Sequence, residues 1–312
     1  MDPAIAGTLG IAFVASYGAL SRLIPWLSSR MLDQPNSRSS HLVPTPRGGG
    51  AVFVAIASLV ALGSLGAHSG VIAWLPLLAF PLAAVGWADD CLDLPAAARF
   101  LVQLATGCVL VWLSPLPITP WSSIFLVISA VAVINFTNFM DGLDGLVASC
   151  LAVALAAAAI QLQAPLPIWS LLGALLGFLC WNWSPAKVFM GDVGSTFLGA
   201  VFAGLVLQSA NWPQALGLLF VAAPVLGDAL VTVLRRLAAG QPVFQAHRQH
   251  LFQRLNQAGW SHARVASTYL LATALLAGAL LTAGLEAVVL FLLMQLAVAW
   301  WLERRVAIPF SL

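Results

Sequence analysis

Charged residues are scarce in this sequence of 312 residues: Asp, Glu, Lys and Arg together make up 8% of it, whereas soluble domains carry about 25%. Hydrophobic residues make up 61%. This balance excludes a soluble globular domain and predicts an integral membrane protein. Strict alternation of apolar and polar residues is also lacking. The apolar runs are continuous, which favours membrane-spanning helices over a transmembrane β-barrel.

Cysteine is rare as well, and the four cysteines form no CxxC pair. Their scatter argues against a disulfide framework or a structural metal site, and we interpret them as free thiols in apolar helices. No basic residue precedes the first apolar run, because the first one is Arg22. We therefore expect the first helix to be retained rather than cleaved as a signal peptide.

Apolar segments of about 20 residues, the length that crosses a bilayer, are abundant. We count eleven of them: 4–27, 48–67, 70–88, 98–114, 121–138, 145–163, 167–183, 194–209, 213–237, 263–283 and 285–302. The sequence therefore predicts an all-α polytopic membrane protein with one domain over residues 1–312.

The positions of the charges predict the orientation of this domain. With eleven spans, all thirteen basic residues fall on one side, which the positive-inside rule makes cytoplasmic. The N-terminus is then outside and the C-terminus inside. The predicted cytoplasmic loops that carry the chemistry are 28–47, 89–97, 139–144, 184–193 and 238–262. All acids except Asp2 and Glu286 share that side, and their cost near hydrocarbon, about 2.5–3.5 kcal/mol each, indicates a functional site.

Two acidic motifs follow apolar runs. In "WADDCLD" (87–93), Asp89 and Asp90 end the third span and Asp93 begins the loop. Adjacent carboxylates repel one another unless a cation or a shared proton lies between them, and no basic partner is close in sequence. Mg²⁺ commonly uses one or two carboxylates plus substrate phosphates. The alternative is a solvated helix end.

The second acidic motif is "NFTNFMDGLDGL" (135–146). Asn138, Asp141 and Asp144 are three residues apart, so on a helical turn they would share a face. Gly142 and Gly145 permit a tight turn and close approach of a ligand. The alternatives are an ordinary turn between two spans and a helix cap formed by Asp144.

A third motif, "NWSPAKVFMGDVGS" (182–195), places Asp192 at the start of a span, where backbone N–H groups attract phosphate. Lys187 adds a positive charge. Phe189 is suited either to stack on a base or to anchor in the membrane interface.

A fourth motif, "AHRQHLFQRL" (246–255), carries His247, His250 and Arg254 at i, i+3 and i+7 of a predicted helix. Cationic groups on one face suit a pyrophosphate, and the alternative is an interfacial amphipathic helix.

Residues 33–50 form a polar, basic segment rich in turn residues. This segment is either part of the functional site or an ordinary positive-inside loop. Asp228 shares a helical face with Arg235.

Together these motifs indicate Mg²⁺-assisted transfer of a phosphorylated group from a water-soluble donor to a lipid. In this order they resemble the signature loops of the polyprenyl-phosphate N-acetylhexosamine-1-phosphate transferase superfamily, over roughly residues 33 to 255. Two other classes stay open: an intramembrane prenyltransferase, which needs no uridine pocket, and a transporter, which would place charges nearer the membrane midplane.

The resemblance implies a role for each motif. Asp89 and Asp90 match the acidic pair that acts on the lipid phosphate, and Asp192 matches the Mg²⁺ ligand, with the acidic pair as further candidates and Mn²⁺ as an alternative ion. His247, His250 and Arg254 match the loop around the diphosphate; with the three aspartates, the two histidines complete the implied catalytic set. The implied substrate-binding residues are Asp33, His41, Asn138, Asp141, Asp144, Asn182, Lys187, Phe189 and Arg254, of which Asn182 and Phe189 match positions that hold uracil.

The resemblance also implies the substrates. A UDP-N-acetylhexosamine, or its 6-deoxy form, would donate a sugar-1-phosphate to undecaprenyl phosphate and release UMP. The partners would be these two substrates and the lipid bilayer, without nucleic acid, and a homodimer is compatible with the family. Arg248 and Gln249 separate the two histidines, which is closer to the branch that initiates O-antigen or related glycans than to the muramoyl-pentapeptide branch. The implied location is the bacterial inner membrane, with the site on its cytoplasmic face.

Overall fold

A computed structural model describes residues 2–35, 40–41, 43–64, 70–92, 94–242 and 247–310. This part of the chain contains twelve α-helices and two short strands. They are α1 (Pro3–Arg30), β1 (Leu32–Asp33), β2 (Thr45–Pro46), α2 (Gly50–Gly63), α3 (Val71–Leu92), α4 (Ala96–Trp112), α5 (Pro120–Phe139), α6 (Leu146–Gln161), α7 (Leu166–Asn182), α8 (Asp192–Leu207), α9 (Trp212–Val221), α10 (Ala223–Ala238), α11 (Leu251–Gln257) and α12 (His262–Arg305). Asp93, and parts of the predicted segment 48–67 and of the predicted loops 28–47, 89–97 and 238–262, lie outside the described residues.

Within the described residues, each predicted apolar segment consists mainly of helix. Four of the described helices, α1, α3, α5 and α12, are long and apolar enough to cross a membrane, and the pair α9–α10 gives a fifth if it is counted as one span. The helices α2, α4, α6, α7 and α8 are apolar but shorter. The chain is therefore an all-α, multi-pass membrane protein in its main features. The count of eleven spans and their orientation stay predictions.

One predicted span has a different shape. Residues 213–237 are predicted as one span, and the structure divides them into α9 and α10, which meet at an angle of 82°. Pro224 lies in the first turn of α10. A proline inside a continuous helix lacks the N–H for the ladder and clashes with the preceding turn, whereas it fits the first turn of a new helix. After the break, α10 packs against the start of α11, the next helix in the chain.

Gly284 divides α12 into two arms, because its φ of +77° interrupts the helix. The amide of Gln295 donates a hydrogen bond to the carbonyl of Ala272 at 2.9 Å. On a straight helix, atoms 23 residues apart would be separated by about 35 Å. The two arms therefore fold back on each other, in agreement with separate segments at 263–283 and 285–302.

The first loop contains a short ribbon that the all-α prediction did not include. β1 pairs with β2 in antiparallel fashion, with Leu32 opposite Pro46 and Asp33 opposite Thr45. The carbonyl of Pro46 accepts a hydrogen bond from the N–H of Phe189 at 2.8 Å. The ribbon thereby fastens the first loop to the loop between α7 and α8.

The core lies around α8, which is buried over most of its length. Small residues let its neighbours approach: a Cβ added to Gly50 of α2 would lie 2.6 Å from the Cα of Gly194. A Cβ added to Gly86 of α3 would lie 2.6 Å from the backbone of Asp192. The outer helices expose apolar side chains such as Ile11 and Phe125, as expected for contact with lipid. This packing fixes the start of α8, and with it Asp192, against α2 and α3.

Candidate active site

The polar residues of the predicted motifs converge at one end of the helical bundle. The ends of α3 and α5, the starts of α8, α11 and α12, and the β1–β2 ribbon meet there. The cluster includes two cavities that share a wall, here called the polar cavity and the apolar cavity.

The acidic pair at the end of α3 has basic partners that are distant in sequence. Asp89 forms an ion pair with Arg99 and accepts a hydrogen bond from the N–H of Leu94 at 2.7 Å. Asp90 lies 3.8 Å from the guanidinium of Arg47. No basic residue is adjacent to the pair in sequence, but the fold brings Arg99, after a turn, and Arg47, from the first loop, into contact with it. Both aspartates are buried.

Asp192 is the first residue of α8 and lies between α3 and α5. Its carboxylate accepts a hydrogen bond from the amide of Asn138 at 3.3 Å and lies 3.7 Å from the guanidinium of Arg99. The hydroxyl of Ser195 donates to the other end of Asn138 at 2.7 Å. This second bond fixes which end of the Asn138 amide faces Asp192.

The DGLDG loop does not continue the helix. α5 ends at Phe139 and α6 begins at Leu146. The predicted helical turn that would carry Asn138, Asp141 and Asp144 on one face is therefore not present. These three residues nevertheless face one cavity, because the chain reverses between the two helices. Burial, and then the negative charges of Asp192, Asp90 and Asp144, raise the pKa of Asp141 to about 7.

Asp144 is not a helix cap, since α6 has no side-chain cap. Its carboxylate accepts a hydrogen bond from the N–H of Ala186 at 3.2 Å and lies 3.2 Å from Nδ1 of His262. Burial alone would raise the pKa of Asp144. The hydrogen bond and charge of His262, together with the N–H of Ala186, outweigh burial and lower it. This carboxylate is therefore ionised at neutral pH.

Asn182 holds two loops together at the buried end of α7. Its side chain accepts from the N–H of Gly145 at 3.1 Å and donates to the carbonyl of Val188 at 3.0 Å. Phe189 is half-buried, and its ring meets the ring of His41 edge-on at 4.9 Å. His41 in turn lies 3.7 Å from Asp33. Of the residues predicted in these loops, Lys187 is exposed and is absent from the lining of both cavities.

The polar cavity has a volume of about 440 Å³ and opens among the loops. Its walls are mainly charged and amide side chains, together with the phenyl ring of Phe189 and two imidazole rings. It is lined by Asp33, Ser40, His41, Arg47, Asp90, Asn138, Asp141, Gly142, Leu143, Asp144, Asn182, Phe189, Gly191, Asp192, Gln253 and His262. The structure thus brings most of the predicted substrate-binding residues around one space.

The apolar cavity is adjacent and has a volume of about 560 Å³. Its lining from α3, α4 and α5 is largely apolar, and among its polar side chains Asn138 and Arg99 lie next to Asp192. It is lined by Leu82, Val85, Gly86, Ala96, Ala97, Arg99, Phe100, Gln103, Asn135, Asn138, Phe139, Asp192, Thr196, His247, His250 and Gln253. The two cavities share Asn138, Asp192 and Gln253.

The two histidines of the fourth motif line the apolar cavity, but they are not on a helix as predicted. α11 begins only at Leu251, because Asp228 of α10 accepts hydrogen bonds from the N–H groups of Leu251 and Phe252 at 2.8 and 3.0 Å. The rings of His247 and His250 lie 4.9 Å apart. Burial, and then the positive charges of His250 and Arg236, lower the pKa of His247 to about 4.

Arg254 lines neither cavity. Its guanidinium donates to Glu303 at 2.8 Å and to the carbonyls of Ile308 and Gln249 at 3.1 Å each. It is 3% exposed, so it ties α11 to the end of the chain. This placement contradicts the predicted contact of Arg254 with a diphosphate. Glu303 also forms an ion pair with Arg235. Arg235 therefore pairs with the end of α12 and not with Asp228, which shares its helical face.

Sequence reasoning missed four residues of the site: Arg47, Arg99, Gln253 and His262. Arg47 belongs to the polar, basic segment 33–50 but was given no role of its own, and Arg99, which follows the acidic motif, served only as an orientation signal. Gln253 lies within the fourth motif, and His262 lies beyond every motif. Only the folding of the last helix onto the DGLDG loop brings His262 into the polar cavity.

The carboxylate of Asp192 in the shared wall, with those of Asp89 and Asp90 next to it, fits a metal ion in part. Among the residues that the structure describes, no three His, Cys, Asp or Glu side chains converge to hold a metal ion by themselves. Mg²⁺, however, keeps several waters and usually takes only one or two carboxylates in addition to substrate phosphates. Asp192, which lines both cavities, provides such an oxygen donor. Asp90 lines the polar cavity beside it, and Asp89 shares the guanidinium of Arg99 with Asp192.

Comparisons with known proteins agree with these features. A family profile described as "Glycosyl transferase family 4" matches residues 71–210. The chain is 30% identical over 256 residues to a probable undecaprenyl-phosphate N-acetylglucosaminyl 1-phosphate transferase of Bacillus subtilis, covering 74% of this chain and 71% of that protein. It is 32% identical over 299 residues to a decaprenyl-phosphate N-acetylglucosaminephosphotransferase of Mycobacterium tuberculosis, covering 77% and 72%. It is also 32% identical to a phospho-N-acetylmuramoyl-pentapeptide-transferase of Corynebacterium jeikeium, covering 88% and 94%.

Proposed function

The chain belongs to glycosyl transferase family 4, the polyprenyl-phosphate N-acetylhexosamine-1-phosphate transferase superfamily, and from this premise we propose that it transfers a sugar-1-phosphate from a UDP-N-acetylhexosamine, or its 6-deoxy form, to undecaprenyl phosphate. The products would be undecaprenyl-diphosphate-sugar and UMP. The observation that carries the proposal is the meeting of a polar and an apolar cavity at Asp192. A transfer between a water-soluble donor and a lipid needs such a junction.

We assign the polar cavity to the donor. Its aromatic wall at Phe189 suits stacking of a base, and Arg47 supplies positive charge for a diphosphate. Gly191 has a φ of +75°, and a Cβ there would lie 2.5 Å from Oδ2 of Asp90. The backbone therefore approaches the acidic pair closely, which only glycine allows without strain. Asn138 and Asp141 would face the sugar or the diphosphate.

We assign the apolar cavity to the acceptor. Leu82, Val85 and Phe100 offer an apolar surface for the first prenyl units. Arg99, which is about one-third exposed and pairs with Asp89 and Asp192, supplies charge for the lipid phosphate. The two histidines complete this polar end. The donor's diphosphate and the acceptor's phosphate would then meet at the shared wall.

In the proposed reaction, an oxygen of the lipid phosphate forms a bond to the β-phosphorus of the donor. The bond from that phosphorus to the oxygen bridging toward UMP breaks, and UMP leaves with this oxygen. A phosphate monoester has a second pKa of about 6, so the attacking oxygen is largely ionised already. Asp89 and Asp90 would therefore not need to remove a proton from the lipid phosphate. Their role would be to orient this phosphate, together with Arg99 and Arg47, with which they pair. Most of the rate enhancement would come from positioning and charge stabilisation.

We propose Mg²⁺ as the metal ion, held by Asp192 with Asp89 or Asp90 as a further ligand. When bound, the ion would neutralise charge on the diphosphate and on the leaving group. The donor set supports this assignment, because its carboxylates lie where the phosphates of both substrates would meet.

We further propose that this reaction begins the synthesis of an O-antigen or related cell-envelope glycan on the cytoplasmic face of the bacterial inner membrane. The separated histidines of the fourth motif and the single side shared by all thirteen basic residues support this reading.

The test is an assay with the purified protein, undecaprenyl phosphate, Mg²⁺ and a panel of UDP-N-acetyl sugars. We expect release of UMP with one of the sugars, and a lipid product whose mass equals undecaprenyl diphosphate plus that sugar. EDTA should stop the release, and added Mg²⁺ should restore it. The Bacillus subtilis relative, tested in parallel, controls for the lipid. No UMP from any sugar while that relative is active would contradict the proposal, and undiminished activity in EDTA would contradict its metal.

A further inference from the structure

His262, the first residue of α12, lines the polar cavity, but the reaction proposed above assigns it no role. Its Nδ1 lies 3.2 Å from Oδ1 of Asp144, and its Nε2 lies 3.1 Å from the carbonyl oxygen of Ser40. The side chain is only 15% exposed. Both ring nitrogens are therefore engaged at the same time, by two segments that are distant in sequence.

The chemistry of these two partners fixes the charge of the ring. A carbonyl oxygen can only accept a hydrogen bond, and an ionised carboxylate can only accept as well. A neutral imidazole donates from one nitrogen only, so it could satisfy one partner and would face the other with a lone pair. Asp144 is held in its ionised form by the N–H of Ala186 as well. The arrangement is satisfied when His262 is an imidazolium that donates to both.

Through these contacts His262 joins the segments that form the walls of the polar cavity. Ser40 precedes His41, whose ring contacts Phe189. Asp144 is bonded to Ala186 of the α7–α8 loop and belongs to the DGLDG loop. The last helix is thus connected to the first loop and to two further loops through a single ring.

We propose that His262 is a positioning residue for the donor: as an imidazolium it holds Asp144 and the Ser40–His41 segment in place, so that donor affinity falls when the ring loses its proton. This inference rests on the assignment of the polar cavity to the donor. The other titratable or charged side chains that face this cavity are Asp33, His41, Arg47, Asp90, Asp141 and Asp192. Their titration also affects the wild-type pH profile, so the test compares variants at position 262.

Two variants separate charge from shape. His262→Gln can donate to only one of the two partners and carries no charge. His262→Lys has three N–H donors and stays charged up to about pH 9. We expect His262→Gln to raise the KM for the UDP-sugar about tenfold or more, the usual effect of losing a charge-assisted hydrogen bond, with kcat within about threefold of wild type. His262→Lys should recover most of the affinity. It should also remove the rise of KM that we expect for the wild type as the pH increases above the ordinary imidazole pKa of about 6.5.

Arg264→Gln is the matched control. Arg264 lies on the same turn of α12, packs on the ring of Trp260 at 3.9 Å and lines neither cavity, so its KM should stay unchanged. An unchanged KM in His262→Gln, or a loss in Arg264→Gln of the same size, would overturn the proposal.

A measurement without substrate keeps this test separate from that of the reaction. The chain has five histidines, so the resonance of His262 in a ring-¹³C-labelled sample can be identified as the one missing in His262→Lys. We expect this ring to lose its proton only above pH 6.5, the ordinary pKa of imidazole, because burial is outweighed by the contacts with Asp144 and Ser40, which raise the pKa of His262. Loss of the proton below pH 6.5 would overturn the proposal whether or not UMP is released. Failure of the wild type to release UMP would instead contradict the proposed reaction and leave the result on the ring standing.

Discussion

At the scale of single residues, the carboxylate of Asp192 is the point on which the site depends. It lines both cavities, accepts a hydrogen bond from Asn138 and lies near the guanidinium of Arg99. A negative charge so placed can interact with the phosphates of both substrates through a shared cation. Neither a solvated helix end nor a structural ion pair would require a position between two cavities.

Asp192→Asn should therefore nearly abolish turnover, because the amide keeps the size of the side chain but removes the charge that would hold the proposed Mg²⁺. We expect kcat/KM for UMP release to fall by more than tenfold, a loss of about 1.4 kcal/mol or more of transition-state stabilisation. Glu286→Gln is the matched control, since Glu286 is exposed beside the turn at Gly284, about 30 Å along the helix from His262. Retention of more than about a tenth of the wild-type kcat/KM would show that Asp192 is not the principal ligand.

Residue types were easier to predict than residue partners. The carboxylates, amides and glycines of the motifs do line one cavity, because short loops between apolar helices leave polar side chains few other places. The partners came from distant parts of the chain: Arg47 and Arg99 for the acidic pair, His262 for Asp144 and Glu303 for Arg254. Hydrophobic periodicity carries no information about which helix ends meet, so the structural role of Arg254 could not be foreseen.

At the scale of the helices, the site depends on close contact between backbones. Gly86 of α3 faces the peptide of Asp192, the first residue of α8, and Gly50 of α2 faces Gly194. These contacts place the acidic end of α3 beside the start of α8. The lengths of the apolar segments predicted that such helices exist. The break between α9 and α10, in contrast, depends on how Pro224 and the segment after α10 pack. That break also brings Asp228 to the start of α11.

Gly86→Ala should disturb the site through this contact, at a position that also lines the apolar cavity. The added methyl would lie 2.6 Å from the carbonyl carbon and oxygen of Asp192, so the two helices must separate. Overpacking of this kind typically costs about 1–3 kcal/mol of stability. We expect a lower thermal unfolding temperature and at least a tenfold loss of kcat/KM. Gly278→Ala in α12, which has no atoms within 4 Å of the added Cβ, should leave both unchanged. Wild-type activity in Gly86→Ala would show that α3 does not position Asp192.

At the scale of the whole molecule, the chain separates a polar end from apolar flanks. The starts of α8, α11 and α12 and the ends of α3 and α5 lie together at the site. The return of α12 at Gly284 brings Glu303 back to Arg254, close to where the helix began. Because of this hairpin, the start of the predicted segment 263–283 and the end of the predicted segment 285–302 lie on the same side. Composition and charge placement could predict this polarity, whereas the cavity shapes depend on side-chain packing that no single segment specifies.

This polarity predicts which positions an impermeant reagent can reach. The site end should face the cytoplasm, because all basic residues then lie on that side. In a chain whose four cysteines are replaced, we would introduce Ala258→Cys after α11 and Ala210→Cys between α8 and α9, since both alanines are exposed. In sealed spheroplasts a membrane-impermeant maleimide should label position 210, and it should label position 258 only after permeabilisation. Retained UMP release in both variants would show that they fold. Strong labelling of position 258 in sealed spheroplasts would reverse the orientation and place the site on the outer face, where a cytoplasmic nucleotide-sugar could not reach it.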